Sequence, residues 1–149
     1  MDDGPDPLQR FVDAQDAVYP AVCAELASGR KASHWMWFVF PQLAALGRSG
    51  TARFYGLSDA AHARAYWRHA TLGARLRECS RLVLSVQGRS AHDIFGSPDD
   101  LKFRSSLTLF AAAAPEETVF ADALAVFYGG EPDRRTLALL GPTGLDDRT

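Results

Sequence analysis

Between Ala32 and Gly47 the chain runs sixteen residues without an Asp, Glu, Lys or Arg. The run opens Ser33-His34-Trp35-Met36-Trp37-Phe38-Val39-Phe40-Pro41-Gln42 and holds two of the three tryptophans. Every position from Trp35 to Phe40 is apolar, so neither a helical nor a strand period leaves a polar face. Such a segment is buried on all sides or lines a cavity. As a helix it pairs Trp35 with Phe38 and Trp37 with Phe40; as a strand it sets Trp35, Trp37 and Val39 against His34, Met36 and Phe38. Pro41 ends either one. Two chemical readings stay open. The segment is core, its indole N–H groups and imidazole finding ordinary partners, or it is a pocket wall in which Trp35 and Trp37 stack on a nucleobase or nicotinamide beside His34.

A chain of 149 residues with 47% hydrophobic and 23% charged residues fits one globular domain, expected over residues 6–141 with flexible termini at 1–5 and 142–149. No apolar stretch reaches the roughly 20 residues of a membrane span, and the acidic start Met1-Asp2-Asp3-Gly4-Pro5-Asp6-Pro7 does not resemble a signal peptide. Cys23 and Cys79, each inside an apolar helical pattern and outside any CxxC or Cys/His cluster, read as reduced core thiols of a cytoplasmic protein with no metal site. The net charge of −2 conceals a division: residues 48–104 carry a balance of +5, and the flanking segments −3 and −4. A basic centre of that size suits a phosphate-bearing small ligand, or a limited nucleic-acid contact, better than an extended duplex footprint. Solvated helical arginines explain it equally well.

Helical signals cover most of the chain. Asp6-Pro7 predicts a helix start ahead of Leu8, Phe11 and Val12, and Pro20 a restart whose stripe of Val18, Val22, Cys23 and Leu26 stops at Gly29. Residues 47–50 read as a loop. Ser58-Asp59 caps a helix to about His69, and Leu72, Leu76, Cys79, Leu82, Val83 and Val86 form the clearest 3.6-residue stripe. Ser90 with Asp93 is a capping signature for a short helix ending at Gly96. Ser97-Pro98-Asp99-Asp100 predicts a helix to Ala114, followed by one from Glu116 to Phe127 and one from Pro132 to Leu140. The expected fold is all-α, a compact bundle of about six to eight short helices.

The helix after Pro98 places Asp99, Lys102 and Ser106 along one side at i, i+3 and i+7, and is uncharged from Ser105 to Pro115. Arg104 and Thr108 lie on the other flank, with Asp100 in reach of Arg104. Solvated hydroxyls bonded back to the helix are the ordinary explanation. Yet the chain has fourteen Arg and only two Lys, and those two, Lys31 and Lys102, lead into the two uncharged segments. A compact ammonium fits tight pockets and binds phosphate as a point charge.

Taken together, Leu8-Gln9-Arg10-Phe11, Gly29-Arg30-Lys31, Ser33-His34-Trp35-Met36-Trp37, Phe40-Pro41-Gln42, Leu72-Gly73, Ile94-Phe95-Gly96, Asp99-Asp100-Leu101-Lys102 and Arg104-Ser105-Ser106 resemble a bacterial family known as domain of unknown function 1810. The resemblance implies a mainly α-helical fold and no established activity. The name calpastatin sometimes attached to that family does not suit a globular chain, since calpastatins are disordered inhibitors. A weaker similarity links the order of segments to the helical family associated with NAD and ADP-ribose derivatives, with Lys102 and the turn Phe127-Tyr128-Gly129-Gly130-Glu131 as counterparts. That family's Glu and Trp-Gly positions have no clear match here.

Three functional expectations follow. The first is an enzyme acting on a nucleotide-like, ADP-ribose or N-glycosidic molecule. Trp35 and Trp37 would stack the ring, Arg30, Lys31, Arg104 and Ser105 hold phosphate or ribose oxygens, Asp99 or His34 act as base, and Lys102 stabilise developing charge. The second is a non-catalytic module binding a ligand or protein through the same groove. The third is a hydrolase with Ser106 as nucleophile and Lys102 as its base. GxGxxG and GxxxxGK[ST] are absent, so nothing points to a dehydrogenase or kinase, and the cofactor stays unassigned. The first expectation requires the aromatic segment and the Lys102 helix to share one pocket.

Overall fold

The computed structural model describes residues 8–145, the last four by backbone alone. Their elements are α1 (Gln9–Asp16), α2 (Tyr19–Ser28), α3 (Met36–Val39), a 3₁₀ turn (Ala44–Leu46), α4 (Gly50–Phe54), α5 (Ala60–Arg68), α6 (Ala70–Ser85), α7 (Ala91–Phe95), α8 (Asp99–Ala113), α9 (Val119–Tyr128) and α10 (Arg134–Leu145). The fold is all-α, and the described residues contain no strand, only an isolated bridge between Leu43 and Leu57. No described helix is long and apolar enough to cross a membrane. The expected start at Asp6-Pro7, the segment 1–5 and residues 146–149 lie outside the described residues.

The ten α-helices among the described residues exceed the expected six to eight because the sequence conceals two of them. α3 is a single turn whose Met36, Phe38 and Val39 are all buried, so it has no polar face to give it a period. α4 follows directly on the expected 47–50 loop, in a stretch with no apolar stripe of its own: the Ser49 hydroxyl accepts the Ala52 N–H at 3.1 Å and starts a helix at Gly50.

Helix starts shift for identifiable reasons. α8 begins at Asp99 rather than Pro98, and Ser97 does not cap it; the Asp100 carboxylate accepts the Leu101 N–H while Gly96 and Pro98 carbonyls take those of Asp100 and Lys102. α9 begins at Val119 rather than Glu116, since the Glu117 carboxylate accepts the Val119 N–H after a turn. α10 begins at Arg134, capped by Asp133, whose carboxylate takes both the N–H and the hydroxyl of Thr136. It continues to Leu145 across a break at Gly141. The capping box of α7 forms in both directions between Ser90 and Asp93.

α8 is the hub, packed by α5, α7, α9 and α10. Every residue from Ser105 to Phe110 is buried. Phe103 collects the rings of Phe40 at 4.9 Å, Phe95 at 4.6 Å, and Phe127 and Tyr128 at 6.4 Å. Further along, Phe110 meets Tyr66 and Phe120. At the α5–α6 joint Gly73 is required, because a Cβ there would fall 2.0 Å from the Trp67 carbonyl oxygen. This packing seats the aromatic segment directly against the first turns of α8.

Candidate functional site

The loop from Gly29 to Trp35 is organised by Glu25, a residue that no local pattern singles out. Gly29 leaves α2 at φ 78°, and the chain turns back over the helix end. The Glu25 carboxylate then accepts the Ala32 and Ser33 N–H groups, the Ser33 hydroxyl and the Trp35 indole N–H, at 2.6–3.1 Å. Burial alone would raise the pKa of this carboxyl, but the donors, led by the Ser33 hydroxyl, pull it down to about 2. With Trp35 so fixed, the Lys31 ammonium lies 5.1 Å from the centre of its ring and 2.8 Å from Asp99 Oδ2. The Lys31 side chain is only 8% exposed, and its N–H is held by the Ile94 carbonyl.

The second lysine reaches the same carboxylate. Lys102 Nζ lies 3.8 Å from Asp99 Oδ1, too far for a hydrogen bond, and 5.5 Å from the centre of the Trp37 ring. The two segments therefore meet: the chain's only two lysines, 71 positions apart in sequence, converge on one carboxylate, each over its own tryptophan.

Beyond Lys102 lies a cleft of about 540 Å³ between the 42–52 segment and the starts of α8 and α10. Arg48, Lys102 and Arg135 supply its cations, and Gln42, Leu46 and Leu101 much of the remaining wall. Asp133 is its single carboxylate, and one oxygen of that group is engaged in capping α10. The guanidinium groups of Arg48 and Arg135 have no hydrogen-bond or ion-pair partner among the described residues. A separate hollow of about 10 Å³ lies beneath Trp37, and Gln42, Ala52 and Lys102 border both spaces.

The family model described as "Protein of unknown function (DUF1810)" matches residues 5–140. The chain belongs to the DUF1810 family. It is similar to the conserved hypothetical protein Rv1873 from Mycobacterium tuberculosis, whose crystal structure at 1.38 Å superposes with a TM-score of 0.88 at 57% identity, covering 89% of this chain and 95% of that one. No curated protein matches it.

In this DUF1810 member the residues expected at a site divide sharply. Trp35 is fully buried with its indole N–H held by Glu25, so it is a support of the loop and cannot stack on a ligand. Trp37, half-buried, borders the small hollow. Lys31 is closed into its ion pair. Arg30 and His34 are exposed and border neither space. Arg104 faces the other flank: its Nε donates to the Glu131 carbonyl at 2.8 Å and its guanidinium covers Tyr128, so it pairs neither with Asp100 nor with the cleft. The Ser105 hydroxyl, at the cleft wall, donates back to the Leu101 carbonyl, as Thr108 does to that of Arg104. Ser106 is buried at 1% exposure, and the Lys102 ammonium lies on Asp99 and Trp37 rather than on its hydroxyl, so the nucleophile–base pair of the hydrolase expectation is not assembled.

The thiols lie elsewhere. Burial pushes Cys79 up to about 12, beside the Tyr19 hydroxyl, which keeps it protonated at neutral pH. Among the described residues no three His, Cys, Asp or Glu side chains gather as metal ligands.

Proposed function

We propose that the chain binds a nucleotide-like small molecule, a planar ring carrying phosphate, in the cleft beside Lys102. The observation that carries this reading is the convergence of Arg48, Lys102 and Arg135, from three separate segments, on a cleft whose one carboxylate is partly engaged. Guanidinium groups without internal partners are suited to bidentate phosphate contacts, and the ammonium adds a point charge. Leu46 and Leu101 supply apolar surface against which a ring can lie; Leu101 is 56% exposed, a high value for a leucine with no other role.

The binding role is favoured over the enzymatic one by the state of the acid–base groups. Both oxygens of Asp99 face lysine ammoniums, Ser106 is buried, and His34 lies on the surface outside the cleft. None is placed to take a proton from water beside a ligand in the cleft. Calorimetric titration with nucleoside 5′-monophosphates tests the reading. Wild type is expected to bind at least one, and the Arg48→Ala/Arg135→Ala double variant to bind it roughly tenfold or more weakly, each lost contact contributing about 1 kcal/mol. Equal affinity in both proteins, or no heat with any nucleotide, overturns it. Chromatography of the same mixtures for released base or phosphate decides turnover.

A further inference from the structure

We infer that Gln42 is the residue that reads the ring of the bound molecule, its carboxamide pairing with a ring edge that presents a hydrogen-bond donor beside an acceptor. This rests on the proposal that the cleft takes a nucleotide-like ligand. Two glutamines approach the aromatic segment, and they differ in a telling way. Gln15 is buried and fully engaged: its Nε2 donates to the Phe38 carbonyl at 2.7 Å and to the Tyr66 hydroxyl at 3.0 Å, and its Oε1 accepts from Arg75 at 3.3 Å. Gln42 carries the same group, half-buried, with no hydrogen-bond partner for its side chain among the described residues.

Its backbone is held rigidly all the same. The Gln42 carbonyl accepts the Leu57 N–H at 3.0 Å, the Leu57 carbonyl takes the Ala44 N–H at 2.8 Å, and buried Pro41 precedes it. A fixed backbone bearing an unengaged donor–acceptor pair is preorganised for recognition. Location supplies the orientation. The hollow beneath Trp37 has room for one water and not for a ring. The ring therefore stays in the larger cleft, its edge on Gln42 and its phosphate among Arg48, Lys102 and Arg135.

The probes are the four ribonucleoside 5′-monophosphates, nicotinamide mononucleotide and ribose 5-phosphate, titrated into wild type and Gln42→Leu. Circular dichroism and the melting temperature confirm that both are folded. At least one ring-bearing probe is expected to bind wild type tenfold or more tightly than ribose 5-phosphate. Gln42→Leu is expected to remove most of that gap while leaving ribose 5-phosphate within about twofold. A gap that survives the substitution overturns the role of Gln42 and leaves the cleft standing. Failure of every probe, ribose 5-phosphate included, removes the cleft reading and this inference with it. If Gln42→Leu is unfolded, Gln42→Met, which keeps the length of the side chain and its neutrality but removes the carboxamide, takes its place under the same criteria.

Discussion

Lys31 and Lys102 reach different oxygens of the same Asp99 carboxylate, and each lies over a tryptophan, but they belong to opposite kinds of structure. The Lys31 half is closed: its ammonium is 2.8 Å from the carboxylate at 8% exposure, and Trp35 beside it is fully buried and held by Glu25. The Lys102 half is open: its ammonium stands off at 3.8 Å with three times the exposure, Trp37 is half-buried, and the adjoining cleft is lined by Arg48 and Arg135, which have no partner among the described residues. Residue type therefore does not separate support from site. What separates them is whether each polar group already has its partners inside the chain, because a satisfied buried group is held in place while an unsatisfied one at a cleft remains available to a ligand.

The largest expected effect falls on what both halves share. Phe103 is fully buried among four rings at the base of α8, just past Lys102. Phe103→Ala is expected to cost about 4 kcal/mol in urea denaturation. A loss below about 1 kcal/mol would mean that the two halves do not rest on one floor.

The next effect sharpens the closed half. Lys31→Met keeps the stem packed and removes the charge, leaving Asp99 Oδ2 without its 2.8 Å partner. The pair lies between the exposed and fully buried regimes, so a loss of roughly 2 kcal/mol is expected. Unchanged stability in the same denaturation series would make Lys31 as dispensable as an ordinary surface lysine.

Glu25→Gln comes third, at on the order of 1.5 kcal/mol once solvent screening of a partly exposed group is allowed for. Its signature is pH dependence. The folded carboxyl titrates at about 2, below its ordinary 4.5, so its contribution is complete above about pH 4.5 and disappears as the pH falls toward 2. The gap between wild type and Glu25→Gln should close over that window. A gap of constant size from pH 7 to pH 2 would mean that the ionised carboxylate is not what holds the 32–35 loop.

These differences also explain what could be read in advance. The α6 stripe, the Ser90–Asp93 capping box and the enclosure of α8 were legible because each is a local pattern of period or spacing. α3 and α4 were not, since one has no polar residue to give it a period and the other rests on a single serine cap. The scarcity of lysine pointed to both halves at once, and the structure brings them together. The burial of Trp35 was not legible, because composition cannot say which of two neighbouring tryptophans is enclosed. Glu25, Gln42, Arg48 and Arg135 were missed for a different reason: their significance comes from segments distant in sequence closing around one space, and no local pattern encodes that closure.

The smallest effect on stability is the one that most directly tests the contrast. Lys102→Met removes an ammonium that makes no hydrogen bond to Asp99 and is partly solvated, so unfolding should change by less than about 0.5 kcal/mol. Binding should respond quite differently. With Arg48 and Arg135 left alone on the phosphate, affinity for a nucleoside monophosphate is expected to fall about tenfold. The remaining binding should also depend less steeply on salt, because one exposed charge has gone from the encounter. Lys31→Met would show the reverse profile, with a large loss of stability and an affinity little changed once the protein is folded. Two lysines on one carboxylate would then be separable by experiment, one measured in denaturant and the other in a titration cell. Should Lys102→Met instead destabilise the chain as much as Lys31→Met while leaving nucleotide affinity intact, the open half would be a second support, and the cleft beside it would have lost its central cation.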